Sequence, residues 1–122
     1  MPTISKHFLT GLVLSAIYVA VFNTADKLVL LILIFGSIFP DIPSIIYTMI
    51  KEKTIKPEKI ITSETWKKVY NWDDYIFHFT LGLTITAFIT EALNAYLLSF
   101  FIAVSVHYLM DLFIHEREGE WL

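Results

Sequence analysis

His107-Tyr-Leu-Met-Asp111-Leu-Phe-Ile-His115 stands near the end of a chain in which 56% of the residues are hydrophobic. The three ionisable side chains of this stretch recur every fourth residue. On a helix that spacing sets a histidine, a carboxylate and a second histidine on nearly one face, one turn per rung. Such a ladder in an apolar segment is a typical way to hold metal. At a rise of about 1.5 Å per residue, His107 and His115 are about 12 Å apart, too far for one ion on a straight helix. Two ions ~3.5–4 Å apart suit a shared carboxylate, and Asp111 is the natural bridge. The chain has no cysteine, so ligands must be nitrogen or oxygen. That donor set suits zinc first, with manganese and iron as alternatives.

Outward from the ladder, the chain is short of charge. Asp, Glu, Lys and Arg supply 17% of the 122 residues, below the roughly 25% usual in soluble domains, and the shortfall points to lipid. A net charge of −3 gives no basic excess that would indicate nucleic acid. Stretches free of charge run through 7–25, 28–40, 42–50, 75–90 and 92–110. They predict a single all-α domain: an integral membrane, up-down-up-down four-helix bundle with helices about 7–24, 27–39, 74–90 and 93–115. Pro40 and Pro43 end the second helix; 42–50 is a separate short helix, and 51–73 is a polar loop. The segments of 23–26 and 91–94 are tight connections between antiparallel neighbours. A cleaved signal at the first helix is disfavoured because no small-residue cleavage pattern follows it. A soluble helical bundle is the alternative for the whole chain, since the shorter segments also fit core helices.

Six of the nine basic residues, Lys51, Lys53, Lys56, Lys59, Lys67 and Lys68, lie in the middle region. The positive-inside rule makes that region cytoplasmic in an inner or cell membrane, and an even number of crossings brings both termini to the same side. Trp66, Tyr70, Trp72, Tyr75, Tyr108 and Trp121 are placed as an aromatic belt at that face.

The topology then sorts the polar residues. His7 begins the first helix, Asp41 ends the second, Asp73, Asp74 and His78 begin the third, and His107, Asp111 and His115 end the fourth. All four histidines thus share one end of the bundle, while Asp26, Lys27 and Glu91 mark the other. Ionisable groups at membrane depth are costly and mark function by default. Ordinary roles compete: His7 as a terminal surface residue, Asp41, Asp73 or Asp74 as helix caps, and His107 with Asp111 as a buried pair or proton path.

Gly36-Ser-Ile-Phe-Pro-Asp41-Ile, a histidine at the start of a later apolar helix, and the His107–Asp111–His115 ladder resemble the bacterial and archaeal membrane-bound metal-dependent hydrolases. That family is distantly similar to zinc-dependent phospholipase C and related single-strand nucleases. The landmarks cover nearly the whole chain in the family's order, beginning with His7. The resemblance implies a metal centre built from His7, Asp41, Asp73, His78, His107, Asp111 and His115, with Asp111, His78 and Asp73 catalytic. It implies hydrolysis of a phosphoester or phospholipid by metal-activated water. The family's H-R-x-x-T-H-S motif is altered: with its second histidine on His78, Asp73 stands at the first, Asp74 at the arginine, Phe77 at the threonine and Phe79 at the serine. Carboxylate can replace imidazole at Asp73. Loss of the arginine removes a planar phosphate clamp, leaving Lys67 or Lys68 as point charges. The rival expectations are a non-catalytic membrane protein with a structural metal or proton relay, and a partner-binding scaffold.

Overall fold

The computed structural model describes residues 4–23 and 26–113, and every regular element among them is helical. In order these are α1 (Ile4–Phe22), α2 (Lys27–Ile38), a 3-10 turn (Phe39–Asp41), α3 (Ile42–Glu52), α4 (Pro57–Ile61), α5 (Glu64–Val69), α6 (Trp72–Ile89) and α7 (Ala95–Phe113). Local chemistry sets the limits of the long helices. Asn23, at φ 50°, takes the left-handed conformation just past the end of α1. The Asp26 carboxylate accepts the amides of Leu28 and Val29 at 3.0 and 3.4 Å, capping donors that α2 leaves without intrahelical partners. Glu91, at φ 59°, turns the chain after α6, and Asn94 Oδ1 accepts the Leu97 amide at 2.9 Å where α7 begins.

The two prolines do not separate α2 from α3 as cleanly as expected. Pro40 lies inside the single 3-10 turn and Pro43 in the first turn of α3, where a missing amide costs no intrahelical bond. The chain therefore runs on as one 26-residue apolar segment, Lys27–Glu52. With Ser5–Phe22 and Ala95–Phe113 it makes three segments long and apolar enough to cross a membrane. The fourth expected span, α6, falls short because Asp73, Asp74 and His78 occupy its first two turns.

Helix packing follows the order α1, α2, α7, α6, with α1 touching α7 only lightly. The inner pair, α2 and α7, both end at the site described below and so run parallel, whereas the sequence reading places antiparallel neighbours side by side. Glycine makes the close contacts. A Cβ on Gly11 would stand 2.7 Å from the Ile34 Cα, and one on Gly36 would stand 2.8 Å from the Ala103 Cβ, so backbones meet at both seams as in membrane helix pairs. The interior is rich in small polar groups: Ser37, Ser44, Thr48 and Thr80 are buried, each hydroxyl donating to a carbonyl of its own helix or the adjoining turn. Large apolar side chains point outward instead, among them Leu9, Ile17 and Val21 on α1 and Phe79, Phe88 and Ile89 on α6. Apolar exposure on this scale suits association with a membrane.

The stretch expected as a polar loop contains two short helices. Pro57 opens α4, and Ser63 Oγ accepts the Trp66 amide at 3.1 Å to cap α5. Ile60, Trp66 and Val69 bury the apolar sides of these turns, and α5 packs on α3. Both lie at the same end of the fold as the 3-10 turn.

Candidate metal centre

Four elements converge where α1 begins and α7 ends. His7 lies in the first turns of α1, Asp41 closes the 3-10 turn, Asp73 lies in the first turn of α6, and His107 and Asp111 occupy successive turns of α7. Both histidines are 0% exposed, and Asp41 and Asp73 are 2% and 6% exposed. The His7 and His107 rings stack with centroids 3.7 Å apart and planes within 17°. Their Nε2 atoms face the same two carboxylates. His7 Nε2 is 3.2 Å from Asp111 Oδ1 and 3.8 Å from Asp41 Oδ2. His107 Nε2 is 3.1 Å from Asp111 Oδ2 and 3.3 Å from Asp41 Oδ1. Each carboxylate thus offers one oxygen to each imidazole.

Of these contacts, that between His7 Nε2 and Asp111 Oδ1 is a hydrogen bond. His7 Nδ1, His107 Nε2 and both Asp41 oxygens are buried without a hydrogen-bond partner. A buried polar atom left unpaired costs about 1–3 kcal/mol, more when charged, so the three that face one another, His107 Nε2 and the two Asp41 oxygens, need another explanation. The third carboxyl, Asp73, lines the same cavity as Asp111, and among the described residues no lysine or arginine pairs with Asp41, Asp73 or Asp111. Such a site carries an excess of anionic donors. His7, His107 and Asp111 lie close enough together to hold a metal ion, and Asp41 stands 3.8 and 3.3 Å from the Nε2 atoms of His7 and His107.

His107 is oriented from behind. Its Nδ1–H donates to the Ser37 carbonyl at 2.6 Å, which leaves the Nε2 lone pair for the cluster. Outer partners of this kind fix the tautomer of metal-binding histidines. Sequence spacing did not point to Ser37, because the partner is a backbone group on another helix.

Other residues singled out in the sequence lie elsewhere. His78 is not brought to the cluster: its ring is 62% exposed, and its Nδ1–H donates to the Asp74 carbonyl at 2.7 Å. Five residues separate it from Asp73, a rotation of about 140° on a helix of 3.6 residues per turn, so the two face different ways. Asp74, four residues away, is its neighbour instead, with Oδ1 at 3.3 Å. Lys67 pairs on the surface with Glu64 at 3.3 Å, and neither Lys67 nor Lys68 lines the opening of the site. His115 and Trp121 lie outside the described residues.

A cavity of about 390 Å³ opens beside the cluster, lined by Tyr70, Asn71, Asp73, Asp74, Tyr108, Asp111 and Leu112. Its size is in the range of small-molecule sites, and Asp73 and Asp111 belong to both cavity and cluster. The chain matches no family model, no curated protein and no solved structure.

Proposed function

We propose that this chain is an integral membrane, metal-dependent hydrolase of the four-helix type, acting on a phosphoester, most naturally that of a lipid. The observation that carries the reading is the quartet of buried His7, Asp41 and His107 with half-buried Asp111, which holds three unpaired polar atoms facing one another and borders a cavity. The resemblance of Gly36–Ile42 and the α7 ladder to membrane-bound hydrolases supplies the reaction class.

The donor set suits zinc, with manganese or iron as alternatives. Two ions per chain are favoured over one. The Nε2 atoms of both rings face both carboxylates, so each imidazole could hold its own ion with a carboxylate shared between the two. Asp41 and Asp111, each facing both rings, would bridge. Divalent ions held there would acidify a bound water and neutralise phosphoryl charge. Asp73, at the cavity wall and beside Asp111, is placed to accept the proton of an attacking water. His78 is given no part, because it faces away from the cluster. Tyr108 and Leu112 give the opening an aromatic and apolar side suited to an amphiphile.

The exposed apolar surfaces of α1 and α6 support membrane insertion, with α6 as a fourth crossing whose polar first turns sit at the headgroup level. The lysine-rich segment supports a cytoplasmic site. Cysteine placed at Lys56 should react with an impermeant thiol reagent only in inverted vesicles.

Purified protein in detergent should hydrolyse a phosphodiester or phospholipid, lose activity to a chelator, and regain it with zinc or manganese. Asp111→Asn should abolish the activity while preserving helix content. A folded, metal-replete preparation inactive across phosphoester, phospholipid and nucleotide panels would instead indicate a structural or regulatory metal protein.

A further inference from the structure

The contact that orients His107 depends on a carbonyl that a regular helix would occupy. In an uninterrupted α-helix the Ser37 carbonyl would accept from the amide of residue 41, and in 3-10 register from residue 40. Neither is satisfied here. The chain takes 3-10 register over Phe39–Asp41, which directs the Asp41 amide three residues back to Ile38 rather than four back to Ser37. Residue 40 is proline and has no N–H to give. The Ser37 oxygen is left open toward α7, and His107 Nδ1–H fills it at 2.6 Å. The neighbouring glycine makes the reach short enough, for a Cβ at Gly36 would lie 2.8 Å from Ala103, one turn before His107.

We infer that Pro40 is a positioning residue of the metal centre: by withholding an amide it reserves the Ser37 carbonyl for His107 and so holds that imidazole as the Nδ1–H tautomer with Nε2 toward Asp41 and Asp111. The same turn carries Asp41 into the cluster. One proline thus coordinates a ligand on its own segment with the orientation of a ligand on another helix. Proline at 43 has no such consequence, because it stands in the first turn of α3, where the Phe39 carbonyl is already taken by the Ile42 amide.

The inference rests on the metal reading above, and the test separates the two. Wild type, Pro40→Ala and Pro43→Ala are prepared in detergent with ¹⁵N-labelled histidine, and zinc affinity is measured together with the ring nitrogen resonances. In zinc-loaded wild type, His107 should keep a solvent-protected Nδ1–H with Nε2 bound to metal. Pro40→Ala restores an amide that competes for the carbonyls at the end of α2; zinc affinity should fall roughly 10- to 100-fold, the usual effect of losing an outer hydrogen bond, and the protected Nδ1–H signal should weaken. Pro43→Ala should match wild type in both. The wild-type spectrum decides even if Pro40→Ala fails to fold: metal bound through Nδ1 of His107 overturns the inference. So does a folded Pro40→Ala protein with wild-type affinity and an unchanged Nδ1–H signal. Wild type that takes up no zinc, manganese or iron overturns the metal reading itself, and the inference with it.

Discussion

Gly36→Ala is the smallest change that should loosen the centre without touching a donor atom. A methyl group at residue 36 would stand 2.8 Å from the Ala103 Cβ and 3.3 Å from the Phe100 Cδ2. Carbon atoms rest near 3.5–3.8 Å at such a contact, so α2 and α7 must part locally by roughly 0.7–1 Å. The Ser37–His107 hydrogen bond, 2.6 Å long, would then stretch to about 3.3–3.6 Å, at or beyond the useful limit. Overpacking of this kind costs about 1–3 kcal/mol. Metal affinity should fall about tenfold or more through the lost orientation of His107. Thermal unfolding in detergent gives the first quantity and competition with a zinc-binding dye the second. Ala103→Gly in the same chain removes the opposing methyl and should recover most of both losses, leaving a coupling of about 0.5–3 kcal/mol in a double-mutant cycle. Gly36→Ala protein that melts and binds metal like wild type would refute the close seam. Loss that Ala103→Gly does not recover would refute the proposed cause.

Three other outcomes follow from the placement of single groups. Asp111→Asn should lower metal content far more than Asp26→Asn, because Asp111 faces both imidazoles whereas Asp26 caps a helix at the far end, where Asn caps equally well; elemental analysis of both variants checks this. His78→Ala should keep the wild-type metal content and change stability by no more than about 0.5 kcal/mol, since its ring is largely exposed; metal loss equal to that of His107→Ala would contradict the geometry. Acidification should release metal, because protons compete with the ion for the ligand atoms; a dialysis series across pH measures it, and retention that does not fall with acid would contradict the assignment.

Much of the centre is legible from spacing. The four-residue interval from His107 to Asp111 fixes two donors on one face of α7, and the alternation of apolar segments sends His7 and Asp41 to the same end. The structure joins those two to α7 through contacts between residues as far as 104 positions apart. For His78 two readings of the sequence differ: motif order aligns it with a family ligand, while its spacing of four from Asp74 and five from Asp73 puts it on Asp74's side of α6, where the structure has it. The parallel packing of α2 against α7 was hidden, because it depends on two small residues, Gly36 and Ala103, whose meeting no local pattern announces. The short helices α4 and α5 had visible starts, a proline at 57 and a capping serine at 63, but their lysines made the stretch read as a solvated loop. The role of Ser37 could not be read from side-chain chemistry at all, since its backbone carbonyl makes the contact.

Metal content is the most direct test of the central claim that the buried histidine and aspartate cluster is a metal centre. Purified wild-type protein, folded in detergent at neutral pH, is analysed by mass spectrometry of its elements before and after chelation and again after reconstitution. The account predicts close to two divalent ions per chain, removed by chelator and restored by zinc. A well-folded chain that binds none before or after reconstitution, with helix content and melting temperature indifferent to chelation, would contradict it.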